Sequence, residues 1–163
     1  MNFRITKYNP KLRIDGNYLP NEWTSISEIG SVFGSEKLKK EDYLIVETNY
    51  LKALKLILDE LNINKLKIVG IEKHDDNIGK NSNITYGNKD HHIYKISEEG
   101  KILNKEESLI LSKLILRENL WCYLVHDNII IKFGYDYYLN IIIDEKLDSF
   151  SKISSELNLF IEG

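Results

Sequence analysis

Four histidines, His74, His91, His92 and His126, are the side chains of this chain best suited to acid–base work or metal ligation. His91 and His92 are adjacent and fall in a run, His91 to Ile96, that reads as a short strand. Neighbouring strand residues point to opposite faces, so the pair does not chelate one ion together. Either imidazole beside Asp75 or Asp76 would give a base and a carboxylate, the raw material of a hydrolase or nuclease site. His74-Asp75-Asp76 offers an imidazole and two hard oxygens, but the alternating acidic pattern of a calcium loop is missing. The reading favoured for all of these is solvated loop and strand-edge side chains.

The sequence contains no nucleophile elbow, phosphate loop, dinucleotide fingerprint or paired-histidine zinc helix. Cys122 is the only cysteine. It lies in the apolar run Leu120 to Val125, which predicts a buried, inert thiol and excludes an internal disulfide. The expectation is therefore no catalytic residue, no metal and no cofactor.

Two features stand out. Tyrosine is abundant, with 10 residues, and Tyr135, Tyr137 and Tyr138 surround Asp136 within Phe133 to Tyr138. Tyrosine supplies contact area with a polar tip, which suits protein interfaces. The net charge of −3 is also unevenly placed. Residues 136–163 hold Asp136, Asp144, Glu145, Asp148, Glu156 and Glu162 against Lys146 and Lys152, so the whole negative excess lies there. Tyr135, Asp136, Tyr137, Tyr138, Asp144, Glu145 and Asp148 are the candidate partner-binding residues. The partner they imply is a protein, and the acidic segment would suit a basic one, because complementary charge speeds encounter and selects partners.

Net acidity argues against direct nucleic-acid binding, which is driven by a basic surface. No run reaches the roughly 18 apolar residues that span a bilayer, and the first twenty residues lack a signal-peptide core. The expected location is the cytoplasm, with no membrane contact and no small-molecule substrate. At 163 residues with 42% hydrophobic side chains, the chain suits one domain over 1–163.

The elements follow from periodicity. Phe3 to Tyr8 alternates as an opening strand. Lys11 to Asn21 is an ordered turn-rich excursion around Asp15-Gly16-Asn17, and Ser25 to Glu28 a single capped helical turn. Lys39 to Leu61 is a long amphipathic helix with Tyr43, Val46, Tyr50, Leu54, Ile57, Leu58 and Leu61 on its apolar face. Lys40, Glu47, Lys52, Lys55 and Asp59 are assigned to its polar side. Leu66 to Glu72 reads as a strand, and Lys73 to Asp90 as polar chain anchored by Ile78, Ile84 and Tyr86. Asn104 and Glu107 cap a helix over Lys105 to Glu118. Leu120 to His126, Ile129 to Tyr135 and Tyr137 to Asp144 form an antiparallel meander. A helix at Leu147 to Leu157 and a strand at Asn158 to Glu162 close the chain. The fold class is α+β: a mainly antiparallel sheet, made of the C-terminal three-stranded meander plus N-terminal strands, with the long helix on one face.

Phe3 to Pro10, Glu22 to Gly30, Tyr43 to Tyr50 and Phe133 to Tyr138 together resemble a family of small bacterial cytosolic immunity-type proteins encoded beside secreted toxins. The resemblance implies a non-catalytic protein that binds and blocks a toxin, often a nuclease, and it carries no binding residue with it. Three expectations follow, led by a toxin inhibitor. The alternative is a small enzyme built on His91 or His92 with Asp75 or Asp76, and the third is a self-associating module.

Overall fold

The computed structural model describes residues 1–74, 78–79 and 83–163. β1 (Asn2–Thr6) buries Phe3 and Ile5 and leaves Arg4 half-exposed, as its alternation predicts. The excursion that follows is a hairpin, β2 (Arg13–Ile14) and β3 (Asn17–Tyr18), turning through Asp15 and Gly16, both at positive φ. Its inner side chains dock on the sheet: the Arg13 guanidinium donates to the Tyr138 hydroxyl (3.0 Å) and to Glu162 (2.9 Å), which also takes Arg4 (2.7 Å). Ser25 caps a single helical turn, Ile26–Glu28, and a second small hairpin, β4 (Val32–Phe33) and β5 (Glu36–Lys37), leads to α1 (Lys40–Glu60).

α1 has 21 residues and is roughly 32 Å long. It buries Tyr43, Tyr50, Leu54, Ile57 and Leu58, as the periodicity predicts, together with Ala53, while Val46 and Leu61 on the expected face are half-buried. Glu47, expected on the polar side, is buried in the same stripe, because Arg117 enters the core to meet it. Asn62, at φ 55, ends the helix: Ile63 N–H reaches the Leu58 carbonyl and Asn62 N–H that of Asp59.

β6 (Lys65–Lys73) is followed by α2 (Asn88–Ile96). The strand expected at His91 to Ile96 is thus a helix. Asp90 accepts from Gly87 N–H (2.8 Å) at its start, and Ile93 and Tyr94 turn to the core at helical spacing. β7 (Ile102–Asn104) runs into α3 (Lys105–Leu116) through the predicted Asn104–Glu107 capping box. The meander is β8 (Leu120–His126), β9 (Ile129–Gly134) and β10 (Tyr138–Ile142), and α4 (Ser149–Glu156) and β11 (Phe160–Glu162) finish the chain.

Seven strands form one sheet in the order β11-β1-β10-β9-β8-β6-β7, every neighbouring pair antiparallel. The fold is α+β, with α1 packed against α3 and α4, α2 against α3, and α3 against β6 and β8. Buried residues alternate along β8, β9 and β10 (Cys122, Leu124, Ile131, Phe133, Leu139, Ile141) and join the helices in one hydrophobic cluster. The alternate positions Trp121, Tyr123, Val125 and Ile130 are half-exposed. Among the described residues no helix is long and apolar enough to cross a membrane.

Candidate functional site

β8 and β9 start as a tight hairpin through Asp127-Asn128 and then part. Their ladder runs His126–Ile129, Val125–Ile130, Leu124–Ile131 and stops there. Each strand continues on its other side: β8 pairs with β6 as far as Leu120, and β9 with β10 as far as Gly134. The parting coincides with an irregularity one strand away. Opposite Cys122, β6 carries two residues, Gly70 and Ile71, where the ladder has room for one, and Gly70 is at φ +68. Such a bulge bends its strand and sharpens the local twist, and it lies where β8 and β9 separate. The two amides it releases are taken by the Glu99 carboxylate (3.1 and 3.0 Å), and these bonds hold that carboxyl below the usual range.

The gap is a cleft of about 760 Å³, within the range of ligand sites. Its walls include Leu116, Leu120, Trp121, Phe133 and Tyr137, and its rim Thr24, Ser25, His74, Glu118, Lys132 and Asp136. The Trp121 indole N–H spans the parting and donates to the Phe133 carbonyl (3.1 Å), a side chain doing the work of a missing ladder bond.

Both lips of the cleft carry backbone strain. Among the described residues, six other than glycine have positive φ, and the only two that are neither Asp nor Asn are Glu118 (φ 63) and Tyr137 (φ 64); both line this cleft, as does Asp136 (φ 61). Glu118 sits where α3 ends in the arrangement that normally takes glycine: Asn119 N–H reaches the Leu114 carbonyl and Glu118 N–H that of Ile115. A side chain there costs on the order of 1 kcal/mol. Strain of this kind persists only where the surroundings fix it, and it concentrates at functional positions.

The surroundings do fix the other lip. The Asp136 carbonyl accepts from the Tyr8 hydroxyl (2.9 Å) and the Tyr137 carbonyl from the Tyr50 hydroxyl (2.8 Å). The Tyr137 ring is enclosed edge-on by Trp23, Tyr43 and Tyr50, and its hydroxyl donates to that of Tyr43 (3.0 Å). Burial pushes the Tyr43 and Tyr137 hydroxyls well above the ordinary tyrosine value, so both stay protonated. On this base stands Tyr135, 95% exposed.

The seven residues singled out from sequence therefore divide. Tyr135 and Asp136 lie at the cleft. Tyr137 lines the cleft wall but its ring belongs to the core, because two successive left-handed residues break the strand alternation and turn it inward. Tyr138 is engaged within the chain, under the Arg4 guanidinium (4.5 Å) and bonded to Arg13. Asp144, Glu145 and Asp148 are exposed beyond the other end of β10. His91 and His92 are exposed on α2 and do not line the cleft, and Asp75 and Asp76 lie outside the described residues. The sequence reading missed Trp121, Ser25, Glu118 and Lys132. One signal was available: Gly70 inside an apolar strand marks a bulge.

Ser25, His74 and Glu118 converge here but are not wired as a nucleophile and base. The Ser25 hydroxyl donates to Glu118 Oε2 (2.9 Å) and accepts from Ser27 N–H as a helix cap. His74 Nδ1 meets the Glu118 carbonyl (3.0 Å); a carbonyl only accepts, so Nδ1 holds the proton. A triad needs the imidazole to receive the hydroxyl proton and a carboxylate to orient the imidazole. Burial raises the Cys122 thiol to about 12, which leaves it un-ionised near neutrality. No family model, curated protein or solved structure matches this chain.

Proposed function

We propose that this chain is a non-catalytic protein-binding inhibitor of the immunity type, which neutralises a cognate bacterial toxin. The observation that carries the reading is Tyr135, held out on a doubly braced turn beside an aromatic-walled cleft. An exposed aromatic ring on a rigid base loses little entropy on docking and brings a large contact area, the profile of an interface anchor. The cleft's hydroxyl and imidazole are both engaged with Glu118 at one lip, which suits a binding surface better than a reaction centre. A basic partner fits the charge: net −3, with no cation paired to Asp136, Asp144, Glu145 or Asp148 among the described residues.

The test is co-expression with a toxin domain encoded beside the gene. The intact chain restores growth, and Tyr135→Ala weakens protection while its melting temperature stays unchanged. Continued killing at equal expression of the intact chain refutes the inhibitor reading. Rescue that Tyr135→Ala leaves undiminished refutes the site.

A further inference from the structure

We propose that the parting between β8 and β9 is completed by an extended segment of the partner protein, which hydrogen-bonds to the released strand edges and places a basic side chain between Glu118 and Asp136. The inference rests on the protein-binding reading above and specifies what enters the cleft. Its first support is the ladder itself. Both strands keep their outer partners past Leu124 and Ile131, so their extended backbones remain in place while their mutual pairing stops. The Phe133 carbonyl faces the gap and is held by the Trp121 indole, a bond that an incoming main-chain N–H would replace. Recognition by strand addition works through such edges, with main-chain bonds for affinity and side-chain pockets for selection.

Charge selects the side chain. Glu118 and Asp136 flank the cleft, and neither is ion-paired among the described residues. Lys132, the cation of the rim, lies over the Tyr123 ring at 5.0 Å. An arginine in the segment finds two carboxylates and an indole to stack on. A second copy of this chain is a poor occupant. A strand entering between two others needs both of its edges free, and the outermost strands β7 and β11 are three residues long with one edge already paired.

The experiment titrates the full-length, ¹⁵N-labelled chain with the blocked peptide acetyl-Val-Arg-Val-Arg-Val-amide. The expected result is saturable movement of the Trp121 indole signal and of the amides at 121–123 and 132–134, with a dissociation constant below about 1 mM. N-methylation of alternate peptide amides weakens it by about tenfold or more, as loss of main-chain bonds requires. Replacing Arg by Glu in the peptide, or Glu118→Gln with Asp136→Asn in the protein, does the same. No movement of the indole signal at about 10 mM peptide, or binding that N-methylation leaves intact, overturns the proposal. If the peptide fails while co-expression still rescues growth, strand insertion is wrong and the inhibitor reading stands; if both fail, both fall.

Discussion

Replacing Arg117 with methionine is the sharpest test of how this fold is held. Arg117 and Glu47 form a two-pronged ion pair, Nε to Oε2 at 2.8 Å and Nη2 to Oε1 at 2.7 Å, with side chains only 4% and 3% exposed. The guanidinium also reaches the Thr85 carbonyl (3.3 Å) and stacks on Tyr86 (4.8 Å). Arg117→Met fills most of the volume but leaves the Glu47 carboxylate unpaired in the core. That arrangement costs about 3–5 kcal/mol, or on the order of 6–20 °C in melting temperature for a chain of this size. Urea denaturation at pH 7 reads the loss directly. The double variant Glu47→Leu with Arg117→Met removes both charges and returns to within about 1.5 kcal/mol of the parent, the remainder being the lost Thr85 and Tyr86 contacts.

A pH arm separates charge from packing. In Arg117→Met the stranded carboxylate binds a proton more tightly folded than unfolded. Its folded pKa is therefore raised, and the deficit shrinks as pH falls from about 7 to 5. A deficit under about 1 kcal/mol, a double variant no better than the single, or a loss independent of pH would refute the reasoning.

Three further expectations follow from the same geometry. Glu118→Gly relieves left-handed strain and stabilises the chain by about 0.5–1 kcal/mol in urea while weakening partner binding; a loss of stability contradicts the strain argument. The Lys7 amine lies over the rings of Tyr8 (4.1 Å) and Trp23 (4.2 Å) with no hydrogen-bond partner among the described residues, and burial, opposed by Glu22 and Glu28, lowers it to about 8. Unfolded chains keep this proton to about 10.5, so between those values the unfolded state binds more protons and stability rises with pH. Relative to Lys7→Met, the parent gains about 1 kcal/mol from pH 7.5 to 9.5 after allowance for its residual solvent exposure, and no relative gain rules this out. Tyr137→Phe removes the bond to Tyr43 inside a buried network and costs about 1–2 kcal/mol by thermal melting, whereas Tyr135→Ala costs less than about 0.5.

Local periodicity made the long helix, the capped start of α3 and the meander legible, because each depends on neighbours in sequence: Tyr43, Tyr50, Leu54 and Ile57 on one stripe, Asn104 against Glu107, and Asp127-Asn128 between two runs of alternately buried apolar residues. α2 was misread because Ile93, Tyr94 and Ile96 favour strand by residue type while Gly87, Asp90 and contact with α3 impose a helix. Glu47 was legible in part, since it lies four residues after Tyr43 and three before Tyr50, squarely in the apolar stripe. What concealed its burial was a partner 70 residues away. Of the cleft, only Tyr135, Asp136 and the glycine that marks the bulge were legible, and the opening itself was not. It arises where a bulge at Gly70 meets a ladder that stops at Leu124, a coincidence of register between segments remote in sequence.

That remoteness also explains why the cleft holds its shape. One lip ends at Glu118, next to Arg117; the other turns at Asp136, next to Tyr137. Both are tied to one buried stripe of α1: Glu47 grips Arg117, Tyr43 receives the Tyr137 hydroxyl, and Tyr50 donates to the Tyr137 carbonyl. Positions 43, 47 and 50 are separated by about one helical turn each, so a single rigid element sets the distance between the lips. A cleft framed in this way is organised before its occupant arrives, and binding orders few additional groups. Arg117→Met should therefore loosen one lip and leave the other in place. Amide exchange would quicken at 118–121 and stay slow at 136–138, and equal acceleration at both lips would show that the frame is held by something other than α1.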